Sequence, residues 1–94
     1  MTLATVQVHL PDVLVQLLGV HSPFPLQAET LAQALNRLRE DHPNLSPHLY
    51  DESGNFRPHV LCFLNDTSSR WLDSLEIPLN EGDEITFLQA VSGG

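Results

Sequence analysis

Five histidines, one cysteine and twelve carboxylates are the side chains of this 94-residue chain that could do chemistry. His9, His21, His42, His48 and His59 would suit a metal ion, but their spacings match no zinc signature. They are expected on the surface or in loops, and no metal site is expected. Cys62 lies mid-strand between bulky apolar residues. A reactive thiolate needs electropositive, partly open surroundings, so this thiol reads as buried and inert. As the single cysteine it also rules out an intramolecular disulfide and a thiolate metal cluster. The carboxylates crowd most densely at Glu81, Asp83 and Glu84, where a solvated acidic face outweighs an acid–base pair. There is no glycine-rich phosphate loop. The chain is therefore expected to carry no catalytic constellation of its own.

The ending Val91-Ser92-Gly93-Gly94 offers a different chemistry. Glycine makes up about 7% of residues, so two in last place arise by chance in roughly one chain in two hundred. A frayed tail is the plain reading. The same lack of side chains lets a tail thread a narrow active site and take whatever backbone angles that site imposes. The functional group is then the free carboxylate of Gly94. Activated by ATP as an acyl-adenylate, it could accept sulfur as a thiocarboxylate or be passed to an amine.

Such a tail needs a body to present it. Val6, Val8 and Leu10 alternate with Thr5, Gln7 and His9, the period of a half-buried strand. Pro11-Asp12 breaks it. Residues 13–18 are apolar and stop at Gly19, which fits a second strand or an apolar loop. Pro23 and Pro25 confine residues 22–28 to an edge-like extended segment that returns beside the first strand. Over residues 30–41, Leu31, Leu35 and Leu38 recur with helical spacing. Thr30 to Gln33 fits a capping box, and Pro43 stops the helix. Asn44 to Tyr50 reads as a helical turn anchored by Leu45 and Leu49. After the polar turn Asp51–Asn55 comes a strand, Val60–Leu64, apolar on both faces. Such a strand is central, or covers a core on one side and a partner on the other. Ser69 to Leu72 is expected as a short strand, Leu75, Ile77 and Leu79 as a loop under the sheet, and Ile85 to Val91 as the last strand. This order predicts an α+β, β-grasp fold: a mixed four- to five-stranded sheet, strands 1 and 5 central, one main helix across one face. Residues 1–91 form one domain and 92–94 a flexible tail.

Composition narrows the partners. Twelve acids face four bases, all arginines, for a net charge of −8 with neutral histidine. Phosphate contacts need clustered lysine and arginine, so nucleic acid is excluded, and so are anionic membrane surfaces. A basic protein partner is favoured. The longest apolar stretch, Val13 to Val20, is far too short to span a bilayer. No basic N-terminal leader is visible, so a cytoplasmic location is expected. A chain of this length supports one core, burying roughly 65% of its unfolded surface.

The closing stretch Leu79-Asn80-Glu81-Gly82-Asp83-Glu84-Ile85-Thr86-Phe87-Leu88-Gln89-Ala90-Val91-Ser92-Gly93-Gly94 resembles the terminus of the MoaD/ThiS family of ubiquitin-like sulfur carriers. The Asn-x-Gly-Asp-x-Ile turn and the Val-x-Gly-Gly ending carry the resemblance, and Leu64-Asn65-Asp66 is similar to that family's strand ending. The longer middle around Asp51 to Pro58 is similar to the carriers that feed cysteine synthesis; the Ser92-Gly93-Gly94 ending leans toward the molybdopterin carriers. The resemblance implies that a ThiF/MoeB-like adenylyltransferase, related to ubiquitin-activating enzymes, consumes ATP to adenylate Gly94. A sulfur donor then forms the thiocarboxylate. A sulfur-accepting synthase, either the large subunit of molybdopterin synthase or a cysteine synthase, takes the tail; thiamine synthesis and tRNA thiolation use such carriers too. It implies a protein co-substrate that binds no cofactor itself. Covalent attachment to proteins through the same activated Gly94 is the alternative. The chain has no lysine, so lysine-linked chains of it on itself cannot form.

Docking needs a surface beside the threading residues Val91, Ser92 and Gly93. Alternation assigns Ile85 and Phe87 to the core with Val60, Cys62 and Leu64. Leu61, Phe63, Leu88 and Ala90 are left on the other face as the expected partner-binding patch. Glu84 and Asp66 beside it suit a basic partner.

Overall fold

The computed structural model describes residues 3–89. Ala90, Val91, Ser92, Gly93 and Gly94 lie outside the described residues, as do Met1 and Thr2. Strand β1 spans Ala4–His9, β2 Phe24–Ala28, β3 Val60–Leu64, β4 Thr67–Ser68 and β5 Glu84–Gln89. Helix α1 spans Asp12–Leu18, α2 Leu31–Asp41 and α3 Ser46–Leu49, and a 3₁₀ turn covers Ser69–Trp71. The sheet runs β2-β1-β5-β3-β4. Only β1 and β5 are parallel; every other pair is antiparallel. The first and last strands are thus interior, and β2, with Pro25 inside it, is an edge strand. An edge tolerates proline because one row of its backbone groups faces no partner.

Alternation sets the two faces. On β1, Ala4, Val6 and Val8 are buried, and on β5, Ile85 and Phe87 are. Leu31, Ala34, Leu35 and Leu38 of α2 meet them, all nearly fully buried. The start of α2 is capped as its sequence requires. Thr30 Oγ1 accepts from the Gln33 backbone N–H at 3.1 Å, and Gln33 Oε1 reaches back to the Glu29 N–H at 2.6 Å. Leu49 of α3 and Leu45 just before it close the core. The 75–79 loop crosses beneath, with Leu79 buried and the backbone N–H groups of Leu31 and Ala32 bonded to Ile77 and Leu75 carbonyls.

Two expectations fail. Residues 13–18 are neither strand nor apolar loop but the body of α1, which ends at Gly19 with φ +66°. Leu14 is buried, and Val15 and Leu18 pack on the core, so the helix that connects β1 to β2 lays its apolar side on the core. Nor is Ser69–Leu72 a strand. The ladder stops at Ser68, whose Oγ accepts from the Arg70 N–H at 3.3 Å and starts the 3₁₀ turn. No helix among the described residues is long and apolar enough to cross a membrane.

Candidate functional site

The side of the sheet away from α2 is where a partner could dock. Strand register decides what stands there. Leu61 pairs with Leu88, Phe63 with Thr86, and Phe63 again with Ser68 on β4. Directly opposed residues share a face. Leu61, Leu88 and Phe63 therefore stand on one face, and Val60, Cys62, Ile85 and Phe87 on the other. Leu88 is 46% exposed. Leu61 and Phe63 are half-buried and do not pack against the core. The row nearest the chain's exit is apolar, Leu61 and Leu88. The next row toward β1 turns polar, with Thr86 opposite His9. Ala90, the fourth residue of the expected patch, lies outside the described residues, with Val91, Ser92, Gly93 and Gly94. Val60 pairs with Gln89, so the last described residue of β5 lies beside the start of β3.

The acidic turn is structural. The carboxylate of Asp83 accepts from the Asn80 N–H at 2.8 Å and from Asn65 Nδ2 at 3.2 Å. The Thr5 N–H donates to Glu81 at 2.8 Å, and Glu84 pairs with His9 Nε2 at 2.8 Å. Asn65, at φ +54°, exchanges two further bonds with the Glu84 backbone. Gly82 at φ +88° lets the turn donate its N–H to the Thr5 carbonyl. These bonds tie the β3–β4 turn, β1 and the entry to β5 together. They hold fixed the end of β5 opposite the tail.

Cys62 faces the core, 2% exposed, and burial pushes its thiol pKa up to about 12. Such a thiol is protonated at neutral pH and hidden, unsuited to nucleophilic work. Among the described residues no group of three or more His, Cys, Asp or Glu side chains could hold a metal ion. A cleft of about 390 Å³ opens between α2, α3 and the 51–57 loop. Arg39, Arg57, Asp51 and Glu52 line it, and their formal charges cancel. The 51–57 loop is well packed. Tyr50 stacks on Phe56 at 5.0 Å, and Phe56 meets Phe87 edge-on at 6.1 Å.

Sequence reasoning missed Trp71, which stands 79% exposed on the 3₁₀ turn at the free edge of β3. The residue type was visible, but its exposure follows from where the β4 ladder ends. It missed α1 as well, although Asp12 in the first turn and Gly19 at the stop are helix signals.

The geometry has the parts of a presenter: a rigid sheet, an apolar row on the open face, and a last strand running into a Gly-Gly ending. The ThiS family model matches residues 8–94. The chain belongs to the ThiS family. The resemblance to MoaD/ThiS ubiquitin-like sulfur carriers stands, and so does the β-grasp architecture. The sulfur carrier protein CysO of Mycobacterium tuberculosis is 29% identical over 91 residues, 95% of this chain and 98% of that protein. The solution structure of small archaeal modifier protein 1 (SAMP1) from Methanosarcina acetivorans is 28% identical with a TM-score of 0.78, covering 100% of both chains. A chain of the Amycolatopsis orientalis BexX/CysO complex is 25% identical with a TM-score of 0.76, covering 95% of this chain and 99% of that one.

Proposed function

We infer that this chain carries sulfur on the carboxylate of Gly94. An adenylyltransferase binds the outer face of the sheet and uses ATP. A Gly94 carboxylate oxygen attacks the α-phosphorus, pyrophosphate leaves, and an acyl-adenylate forms. A hydrosulfide-level sulfur nucleophile then attacks the acyl carbon and AMP leaves, giving the thiocarboxylate. The carrier supplies no catalytic side chain and binds no cofactor of its own; ATP is consumed by the partner. Val91, Ser92 and Gly93 thread the partner's site, and Leu61, Phe63, Leu88 and Ala90 form the docking patch. The observation that carries this reading is the family match running through Gly94 on a chain whose last strand bears an apolar cross-strand pair, Leu61 and Leu88, beside its exit. The CysO relatives favour cysteine synthesis as the pathway and a cysteine synthase as the sulfur acceptor. The protein should be incubated with adenylyltransferase, ATP and sulfide, and its intact mass measured. One oxygen-to-sulfur exchange at Gly94 is expected. No exchange in the presence of the active partner overturns the reading.

The likeness to SAMP1 favours a second use of the same activated carboxylate, attachment to an amine of another protein. Conjugates that carry an N-terminal affinity tag and survive thiol reductant would establish it. Since the chain has no lysine, such conjugates are expected as single attachments.

A further inference from the structure

Two of the chain's four arginines, Arg39 and Arg57, line one cleft, the hollow of about 390 Å³ between α2, α3 and the 51–57 loop. Sharing a cleft sets them apart from Arg37 and Arg70. Each is held at one point. The Arg39 guanidinium sits over the Tyr50 ring, 4.6 Å from its centroid, and its Nη2 reaches Asn36 Oδ1 at a long 3.4 Å. Arg57 Nε donates to the Pro47 carbonyl at 2.6 Å, and its terminal nitrogens make no hydrogen bond among the described residues. The carboxylates of the same cleft do not take these cations up. Asp51 Oδ1 closes its own loop by accepting from the Ser53 and Asn55 N–H groups at 2.9 and 3.1 Å, and Glu52 is exposed. Among the described residues no carboxylate comes within ion-pair distance of either arginine. A third polar group belongs to the same wall. Tyr50 is 5% exposed, and its buried hydroxyl makes no hydrogen bond of good geometry. A buried donor left so in a native fold calls for an explanation, and service to a ligand is one. Arg39 and Tyr50 also line a second hollow, about 190 Å³, with Asn55 and Phe56. Arg39 therefore stands between two hollows and has room to swing, which opens a path from the cleft to the hydroxyl.

We propose that this cleft binds a small oxyanion, a phosphate or carboxylate group, gripped by Arg39 and Arg57 with the Tyr50 hydroxyl as a third donor. The donors select the ligand. A guanidinium offers its N–H groups in a planar fork that matches two oxygens of a carboxylate or phosphate, and it sheds water more readily than an ammonium group. The Tyr50 ring and the Pro47 carbonyl hold the two forks before a ligand arrives, so less side-chain freedom is lost on binding. Asp51 and Glu52 limit the affinity. Their formal charges balance those of the arginines, so the attraction acts at contact and not from a distance. Two charge-assisted contacts support binding on the order of millimolar. The site lies on the helix side of the sheet, away from Leu61 and Leu88, and does not rest on the carrier reading. It is joined to the last strand through the Arg57 carbonyl, which accepts the Val60 N–H at 2.9 Å, and Val60 pairs with Gln89.

The test is an NMR titration of the ¹⁵N-labelled full chain with inorganic phosphate at fixed ionic strength, with chloride as the matching salt. Saturable shifts are expected at Tyr50, at the backbone amides of residues 51–57 and at the side-chain N–H groups of Arg39 and Arg57. Chloride should give none that saturate. Arg57→Gln should weaken phosphate binding roughly 10-fold. Arg57→Lys keeps the charge and loses the fork, so it should recover only part of the loss. Tyr50→Phe keeps the ring under Arg39 and should weaken binding about 3-fold. Arg70→Gln, outside the cleft, should bind as wild type does. The spectrum away from the cleft reports that each variant is folded. A parallel titration with acetate separates the two sources of the oxyanion: tighter phosphate assigns a phosphoryl group, and tighter acetate assigns a carboxylate. Shifts that stay linear to about 50 mM of both anions, or saturable binding that Arg57→Gln leaves within about 2-fold, overturn the site. Affinity unchanged in Tyr50→Phe overturns the part given to the hydroxyl.

Discussion

The Tyr50 hydroxyl is buried and makes no hydrogen bond of good geometry among the described residues, although the Arg39 guanidinium is close enough to favour its charged form. Its ring is well used. Arg39 lies over one face, 4.6 Å from the centroid, and Phe56 stacks at 5.0 Å. Tyr50→Phe keeps both contacts and removes only the oxygen. A buried hydroxyl without a partner costs roughly 1–3 kcal/mol by mutational measures. Weakening the cation–ring attraction gives back a few tenths of the ~0.5–1 kcal/mol such contacts hold near a surface. The balance is a gain of about 1 kcal/mol. For a domain of this size that raises Tm by roughly 4–8 °C. Urea unfolding should show a higher midpoint with unchanged slope. A second arm uses pH. Burial pushes the Tyr50 pKa above its ordinary 10.0, and the Arg39 cation offsets only part of this. The native state therefore keeps its proton after the unfolded chain has lost it. Stability held below about pH 10 is lost as pH rises beyond it. Wild type should decline faster than Tyr50→Phe in that range. An unchanged or lower urea midpoint for Tyr50→Phe would refute the reasoning and show that the hydroxyl is satisfied.

Three further outcomes follow from the same packing. Cys62, raised by burial from 9.0 to about 12, should resist alkylation at pH 8 until the protein unfolds globally. Its neutral thiol contributes stability below pH 9 that is lost as pH climbs toward 12, and Cys62→Ala should remove that slope; rapid native-state labelling by iodoacetamide would contradict both points. Thr30→Ala should cost about 1 kcal/mol, read from urea midpoints, because it frees the Gln33 N–H at the start of α2. On β5, Phe87→Ala should cost ~3–5 kcal/mol, since Phe87 is fully buried, while Leu88→Ala one residue on should change stability by less than about 0.5 kcal/mol and weaken partner binding. Comparable destabilisation by the two variants would mean that the face assignment is wrong.

That contrast between neighbours shows which parts of this fold are legible in a sequence. A strand's period of two assigns Ile85, Phe87 and Cys62 to one side and Leu88, Leu61 and Phe63 to the other once the core is located, and a one-residue slip would have exchanged them. The α2 cap was legible too, because Thr30 and Gln33 sit at the spacing two backbone donors demand. Helix α1 was not. Seven residues make two turns, and an apolar run that short fits a strand as well as a helix. Only the packing of Leu14, Val15 and Leu18 against the core selects the helix. The same holds at Ser68. A strand and a 3₁₀ turn are both open to Ser69–Leu72 until the Ser68 hydroxyl accepts the Arg70 N–H and ends the ladder.

The two misread segments share a cause, and it bears on function. Local pattern reports which side chains seek the core; it is silent on where a strand stops, because that depends on the neighbours available to pair with it. The end of β4 is such a place, and it decides that Trp71 faces water instead of lying in a strand. The core-facing residues of β3 and β5 are held by packing, and the acidic turn fixes the far end of β5 through Asp83, Glu81 and Asn65. Toward the other end of β5, Leu88 stands 46% exposed. On the carrier reading proposed above, substitutions at Leu88 and Leu61 are expected to alter partner binding with little effect on folding, and substitutions at Phe87 are expected to destabilise the core. A presenter that must be recognised by more than one enzyme and still fold by itself gains from that separation.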